Sequence, residues 1–187
     1  MREKAVFPGS FDPFTRAHLD LVREAVKFFD VVILISVNPQ KGGGMFTKDE
    51  RFNMINMMLQ TAGNGKNQIT VDVCEGLVTD YCQENNIGYI VRGIQYKNSA
   101  EELDLSHIYF EENGIKTVFF PTYNKEHEHI SSTRVRAYIS ESIRRGGFGY
   151  WSGLVPLEFY NYIKNWIEQK REKKCLTELK EKLFSTT

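Results

Sequence analysis

The alternation of short apolar runs with stretches of helical periodicity is the feature that most constrains how this chain can fold. Runs without polar alternation are typical of strands that are covered on both faces. Helical stretches between successive strands favour right-handed crossovers and a parallel sheet. The pattern therefore predicts an α/β fold with a doubly wound, five-stranded parallel sheet. The five predicted strands cover residues 4–7, 31–37, 69–73, 89–91 and 117–120.

The predicted helices follow from apolar spacing and from residues that begin or end helices. The first has apolar residues at 19, 22, 26 and 29, and the second at 52, 55, 58 and 59; further helices are predicted over 78–84, over 100–113 before Gly114, from Ser131, and from Pro156 to Trp166. Residues 170–182 are dense in charge but keep leucines at helical spacing, so they form either an added helix or a solvated, frayed terminus. We divide the chain into a main domain, residues 1–168, and a C-terminal helical extension, residues 169–187.

Composition limits the classes of function. The 187 residues, 41% of them hydrophobic, suffice for one main core. The 24 Lys and Arg residues balance 24 Asp and Glu residues, so no global positive field favours nucleic acid. No apolar run suits a membrane span or a secretory signal. Three cysteines without CxxC spacing favour reduced thiols in a cytoplasmic protein over a disulfide framework or zinc site.

Groups that can hold phosphate follow several predicted strands. Because ligands of open parallel sheets bind beyond the carboxyl ends of the strands, these groups are expected to converge. Ser10 and His18 follow the first strand, Lys41 the second, Arg92 and Gly93 the fourth, and Ser131, Ser132 and Thr133 the fifth. The sequence thus predicts an anion site that is rich in hydrogen-bond donors to phosphate and poor in nucleophilic side chains. It contains no Walker loop and no G-x-G-x-x-G motif.

Each candidate also has a structural interpretation. His18 can be a locally bonded histidine at a helix start, and Lys41 can be a solvated lysine. Arg92 can form a salt bridge to a core carboxylate such as Glu102, although burial of its charge favours a phosphate role. Ser131 can be an ordinary N-cap. The His-x-His spacing at residues 127–129 lacks a third ligand cluster, so no metal site is predicted.

Two of these stretches resemble the motifs of a known superfamily. Residues 8–13 with Thr15-x-x-His18 resemble the first motif of the HxGH nucleotidyltransferases, and residues 130–136 resemble their ISSTxxR motif. Within that superfamily the chain is most similar to the bacterial phosphopantetheine adenylyltransferases, over roughly residues 4–165. The supporting stretches are FDVVILISVNPQK (29–41), MFTKDER (45–51), GLVTDYC (76–82), YIVRGI (89–94) and SGLVPLEF (152–159).

The resemblance implies a Rossmann-like nucleotidyltransferase fold over residues 1–168. It implies transfer of the adenylyl group of ATP to 4'-phosphopantetheine by direct in-line attack, which gives dephospho-coenzyme A and pyrophosphate in coenzyme A biosynthesis. It also implies Mg²⁺ carried by substrate oxygens and water, and a homo-oligomer, in this family a hexamer.

By position, the resemblance also implies the roles of individual residues. His18 would stabilise the transition state, and Lys41 and Arg92 would act with it by holding the attacking phosphate. Ser10 would contact both substrates, and Val78 would lie along the pantetheine arm. The residues implied to bind ATP are Ser10, Phe11, His18, Gly93, Ile94, Gln95, Glu102, His127, Glu128, His129, Ile130, Ser131, Ser132 and Thr133.

Four features depart from the family's usual pattern. One is Ser-Ser-Thr with Arg136, which is closer to the wider superfamily than the Ser-Ser-Ser form with lysine that is usual in the family. Ala17 stands where a glycine usually precedes the histidine, and Gln95 stands where a second arginine is usual. Residues 127–129 replace a stretch that contains an aromatic residue. Transfer to another acceptor, such as nicotinamide mononucleotide, or from CTP is therefore kept as an alternative. A non-catalytic nucleotide-binding regulatory module is the alternative from another class.

Overall fold

A single five-stranded sheet forms the centre of the molecule in the computed structural model. The structure describes residues 2–37, 44–61, 68–94, 99–121, 126–127, 129–147 and 149–184, with side chains to residue 178. The strands are β1 (Lys4–Gly9), β2 (Asp30–Ser36), β3 (Ile69–Cys74), β4 (Tyr89–Ile94) and β5 (Lys116–Pro121). Their order is β3-β2-β1-β4-β5, and every neighbouring pair is parallel. This confirms the predicted doubly wound sheet.

In the described part of the chain, six α-helices connect and flank the strands. They are α1 (Arg16–Ala25), α2 (Lys48–Thr61), α3 (Val78–Glu84), α4 (Ser99–Asn113), α5 (Ser132–Arg145) and α6 (Tyr160–Phe184). Thr15 caps α1 and Ser131 caps α5, as their residue types predict. Gly114 ends α4 with a φ of 68°, the left-handed conformation that glycine adopts without a Cβ clash. The bounds of α3 match the prediction. None of the helices in the described residues has the length and hydropathy of a membrane span.

Helix α6 continues without a break through the predicted boundary at residue 168. Its first turns carry the buried Ile163, Trp166 and Ile167, whereas residues 168–178 are exposed. The added helix expected over residues 170–182 is therefore a continuation of α6. The division of the chain at residue 168 stays a proposal.

The two faces of the sheet bury separate hydrophobic clusters. Ala5 and Phe7 of β1 belong to the larger cluster, which α1, α2, α5 and α6 cover. Val6, between them, belongs to the smaller cluster on the side of α3 and α4. This alternation is expected because successive strand side chains point to opposite faces. Helices on both faces explain why the strands read as continuous apolar runs.

The central strands β1 and β4 separate toward their carboxyl ends. Pairing of β1 with β2 extends to Gly9 and Ile35, but pairing of β1 with β4 is confined to Ala5 with Tyr89 and Val6 with Ile90. The strand order reverses between these two strands, and such a switch point is where open α/β sheets bind ligands. The fold therefore opens a crevice above β1 and β4.

Candidate functional site

The crevice above β1 and β4 holds a cavity of about 360 Å³. Eight residues predicted from the sequence to form the site line this cavity, so the fold brings together the bend after β1, α1, β4, α4 and the start of α5. They are Ser10, Phe11, His18, Arg92, Gly93, Glu102, Ile130 and Ser132. Ala17 and Leu21 of α1 line the same cavity.

The bend after β1 is shaped by close packing of Phe11. Phe11 is buried and has a φ of 46°, and its ring folds back over Gly9. A Cβ at Gly9 would lie 2.8 Å from two carbons of that ring. Gly9 is therefore required by the packing of Phe11.

The imidazole of His18 is fixed by the start of its own helix. The Thr15 backbone N–H donates to His18 Nδ1 at 3.0 Å, and the His18 N–H donates in return to Thr15 Oγ1 at 3.4 Å. This is a capping box in which a histidine takes the usual place of Glu or Gln. Because Nδ1 accepts, we assign the ring proton to Nε2, which becomes a donor.

The surroundings of His18 keep it neutral. The rings of Phe7, Phe11 and Phe14 lie 6.0, 5.2 and 5.3 Å from its own, centroid to centroid. Burial among them lowers the pKa of His18 from 6.5 to about 4. At neutral pH the site therefore offers a hydrogen-bond donor that carries no charge of its own.

Arg92 and Glu102 form a bidentate pair at the cavity wall. Arg92 Nε and Nη2 donate to the two carboxylate oxygens of Glu102 at 2.7 and 2.8 Å, and Nη1 reaches the Pro8 carbonyl at 3.4 Å. Burial favours a lower pKa for Arg92, but the bonds to Glu102 outweigh it and raise the pKa. The salt bridge considered from the sequence is therefore present. Two of the five guanidinium N–H groups find no acceptor among the described residues.

Two buried charged residues that the sequence analysis missed hold the bend in place. Asp12 accepts from the backbone amides of Met45 and Phe46 at 2.9 and 2.8 Å. Arg51, 7% exposed, donates from Nη1 to the Ser10 carbonyl at 2.7 Å. No sequence pattern singles out either role: Asp12 stands between Phe11 and Pro13, and Arg51 directly follows three other charged residues at 48–50.

Only part of the ISSTxxR motif, residues 130–136, lines the cavity. Ser132 Oγ donates to the Pro13 carbonyl at 2.8 Å and lines the cavity. Ser131 caps the helix by accepting the Arg134 N–H, and Thr133 accepts from Arg136. Ser131 and Thr133 are exposed and do not line the cavity described above.

The remaining predicted residues lie apart from the cavity or outside the described residues. Ile94 ends β4 and is half-buried, and His129 is exposed. His127 is half-buried and donates from Nδ1 to Asp20 of α1. Lys41, Gln95 and Glu128 lie outside the described residues.

A second cavity, of about 590 Å³, contains the predicted substrate residue Val78. Its wall also includes Leu105 and Tyr109 of α4, one and two turns beyond Glu102. Burial raises the pKa of Tyr109, so its hydroxyl stays protonated at neutral pH. Helix α4 therefore contributes to both cavities, with the Arg92–Glu102 pair on the side of the first.

The described side chains offer no cage for a metal ion, since none of their His, Cys, Asp and Glu residues form a group of three or more that could hold one.

Comparison with known proteins assigns the sequence to a family. A family model described as cytidylyltransferase-like matches residues 6–138. The phosphopantetheine adenylyltransferase of Corynebacterium glutamicum (strain R) is 37% identical over 155 residues, which are 82% of this chain and 90% of the relative. That of Clostridium novyi (strain NT) is 33% identical over 170 residues, which are 89% of this chain and 98% of the relative.

Solved structures share the fold at much lower identity. The bifunctional NMN adenylyltransferase/ADP ribose pyrophosphatase from Francisella tularensis has a TM-score of 0.62 and 18% identity to this chain. The match covers 100% of this chain and 57% of that longer protein. The likeness confirms the expected Rossmann-like α/β nucleotidyltransferase fold.

Proposed function

The chain belongs to the phosphopantetheine adenylyltransferase family, and from that premise we propose that it transfers the adenylyl group of ATP to 4'-phosphopantetheine. The products are dephospho-coenzyme A and pyrophosphate. The observation that carries the proposal is the convergence of His18, Arg92 and Ser10 in one cavity at the switch point of the sheet. The acceptor's phosphate oxygen attacks the α-phosphorus, one P–O bond forms, and the bond to the β-phosphate oxygen breaks.

The acceptor phosphate is itself the nucleophile, so this reaction needs no nucleophilic side chain. The protein contributes position and charge stabilisation, which dominate phosphoryl-type transfer. His18 suits this task because its Nε2–H is a donor that needs no rearrangement as charge grows on the α-phosphate. A neutral donor avoids binding the ground-state triphosphate too strongly.

Arg92 holds the acceptor phosphate, together with Lys41 and Ser10. The two guanidinium N–H groups of Arg92 without a described acceptor match two oxygens of a phosphate. Glu102 fixes the plane of this guanidinium through its two hydrogen bonds. The pair thus orients Arg92 before substrate arrives, which reduces the entropy lost on binding.

The pantetheine arm occupies the second cavity along Val78. That cavity shares helix α4 with the first and is lined largely by apolar side chains, including Leu77 and Leu105. Its volume, about 590 Å³, is in the range of small-molecule sites. An acceptor with a phosphate at one end and a long, weakly polar arm fits such a pair of cavities.

ATP occupies the rest of the first cavity. Phe11, Gly93, Ile94, Gln95, Glu102 and the segment from His127 to Thr133 are proposed to surround it, with Ile130 and Ser132 in the cavity wall. Mg²⁺ is the proposed divalent ion, bound to the triphosphate, whose charge it shields. In a second structure of the Francisella protein, AMP and a manganese ion are present. A cytoplasmic location and a hexameric assembly complete the proposal.

A pyrophosphate-release screen tests the proposed function. ATP and CTP are each offered with 4'-phosphopantetheine, nicotinamide mononucleotide and other phosphorylated acceptors, and the products are identified by mass spectrometry. We expect release only with ATP and 4'-phosphopantetheine, with dephospho-coenzyme A formed in equal amount. Turnover with another pair would redirect the assignment within the superfamily. ATP binding with background release for every acceptor would indicate the regulatory module.

A further inference from the structure

A hydrogen bond joins α1 to the segment before α5. His127 Nδ1 donates to Asp20 Oδ2 at 2.5 Å. The two side chains are 18% and 27% exposed, so both are largely shielded from water. Asp20 was not among the residues singled out by the sequence motifs.

Both partners lie within three residues of a side chain that lines the first cavity. Ala17, one turn before Asp20, and Leu21, the next residue, face the cavity. The His127 carbonyl accepts the N–H of Ile130 at 2.9 Å in a turn, and Ile130 lies in the cavity wall. The Asp20–His127 bond therefore connects two walls of the same cavity.

We propose that Asp20 is a positioning residue for the nucleotide, acting through His127. Asp20 holds the His127 ring, and with it the turn that places Ile130 against the cavity. This inference rests on the proposed function, because it takes ATP as the ligand of the cavity.

Electrostatics gives the contact a second effect. Asp20 places a carboxylate close to a site for a polyanion, where an unpaired negative charge repels the ligand. The hydrogen bond from His127 occupies Oδ2 and reduces the negative potential of this oxygen. Loss of His127 alone would therefore leave an unpartnered carboxylate oxygen beside the nucleotide, whereas loss of both side chains would remove the repulsion as well.

Glu24 provides a matched control on the same helix. It is one turn after Asp20, its side chain is 32% exposed, and it pairs with Lys27 within its own segment. The Glu24→Gln variant removes one carboxylate charge from α1 at similar burial without touching either cavity wall. Any effect of the net charge of α1 would appear equally in Glu24→Gln and Asp20→Asn.

The test measures ATP affinity by calorimetry without acceptor, and separately kcat and the KM of both substrates. We expect Asp20→Ala to weaken ATP binding about tenfold, as for loss of a charge-assisted hydrogen bond, with kcat and acceptor KM within about twofold. Asp20→Asn keeps an accepting oxygen and should recover part of the affinity. Glu24→Gln should bind ATP with the affinity of the wild type. The double variant Asp20→Ala/His127→Ala should bind ATP no more weakly than His127→Ala.

Other results would overturn the inference. They are wild-type ATP affinity in Asp20→Ala, additive losses in the double variant, or equal losses in Asp20→Asn and Glu24→Gln. Wild-type protein that binds ATP but turns over no acceptor would contradict the proposed function, while the affinities would still test Asp20. A wild-type protein without ATP affinity would overturn both.

Discussion

Glu102 holds the guanidinium of Arg92 by two hydrogen bonds, of 2.7 and 2.8 Å, at the point where β1 and β4 separate. The pair lies beyond the end of the short β1–β4 ladder, and a third bond ties Arg92 to the Pro8 carbonyl. The charge of Arg92 in the central strand β4 is therefore stabilised by hydrogen bonds to α4 and to β1. The guanidinium of Arg92 is therefore held in a fixed orientation at the cavity wall.

Replacement of Arg92 by lysine tests whether orientation matters. A lysine keeps the charge but cannot donate in the fork geometry to Glu102 and to a phosphate at once. We expect Arg92→Lys to raise the KM for the acceptor about tenfold and to leave the KM for ATP within about twofold. Steady-state rates with each substrate varied provide the measurement. Arg23→Lys, an exposed exchange on α1, is the control, and equal effects in the two variants would remove the special role of Arg92.

The pKa of His18 predicts how stability depends on pH. Burial lowers this pKa from 6.5 to about 4, so between these values the unfolded chain binds more protons than the folded protein. The contribution of His18 to the free energy of unfolding is therefore complete above pH 6.5 and is lost as pH falls toward 4. Urea unfolding across this range should show that the free energy of unfolding falls with falling pH, and that it falls less in His18→Gln than in the wild type.

An NMR titration of the imidazole checks the same pKa directly. The His18 ring should stay in the neutral Nε2–H form down to about pH 5 in the folded, ligand-free protein. In the urea-unfolded chain its pKa should return to about 6.5. A folded-state pKa at the unfolded value would mean that the three phenylalanine rings do not shield the imidazole from water.

Asp12 is predicted to be a structural anchor of the site. Its removal in Asp12→Ala leaves the amides of Met45 and Phe46 without their acceptor, which costs about 2–4 kcal/mol of unfolding free energy in total. Asp12→Asn keeps one accepting oxygen and should lose about half of that. Chemical denaturation measures both. Asp104→Ala, on the exposed side of α4, should change stability by less than about 0.5 kcal/mol; a similar loss in Asp104→Ala and Asp12→Ala would refute the anchor role.

Ala17, the residue before His18, is predicted to limit how closely ATP approaches α1. The methyl group of Ala17 faces the cavity, so Ala17→Gly should lower the KM for ATP about two- to threefold by admitting closer contact. The same change should cost about 1 kcal/mol of stability, because glycine is a poor helix former. Ala137→Gly, exposed on α5, should have the stability cost without the kinetic gain. An unchanged or higher KM in Ala17→Gly would show that the methyl group does not limit ATP.

The sequence sufficed to predict the convergence of His18, Arg92 and Ser132, because the carboxyl ends of parallel strands meet at one edge whatever the details of packing. It could not predict which residues of a helix start face inward. Successive helical residues differ by about 100° in direction, so Ser132 lines the cavity while Thr133 is exposed.

The anchors of the β1–α1 bend were beyond sequence reasoning for a different reason. Asp12 and Arg51 act on backbone groups far away in the chain, and the approach of α2 to the bend depends on how the whole larger cluster packs. The bond of His127 to Asp20, across 107 positions, depends in the same way on tertiary packing. Patterns within one segment carry no information on such partners.

We propose that a neutral His18 stabilises the transition state of adenylyl transfer at the β1–β4 crevice. Single-turnover kinetics with α-labelled ATP and saturating 4'-phosphopantetheine, on wild type and His18→Ala, measure this role. We expect dephospho-coenzyme A to form at least about 100-fold more slowly in the variant, with ATP affinity within about threefold. Equal rates in the two proteins would contradict it.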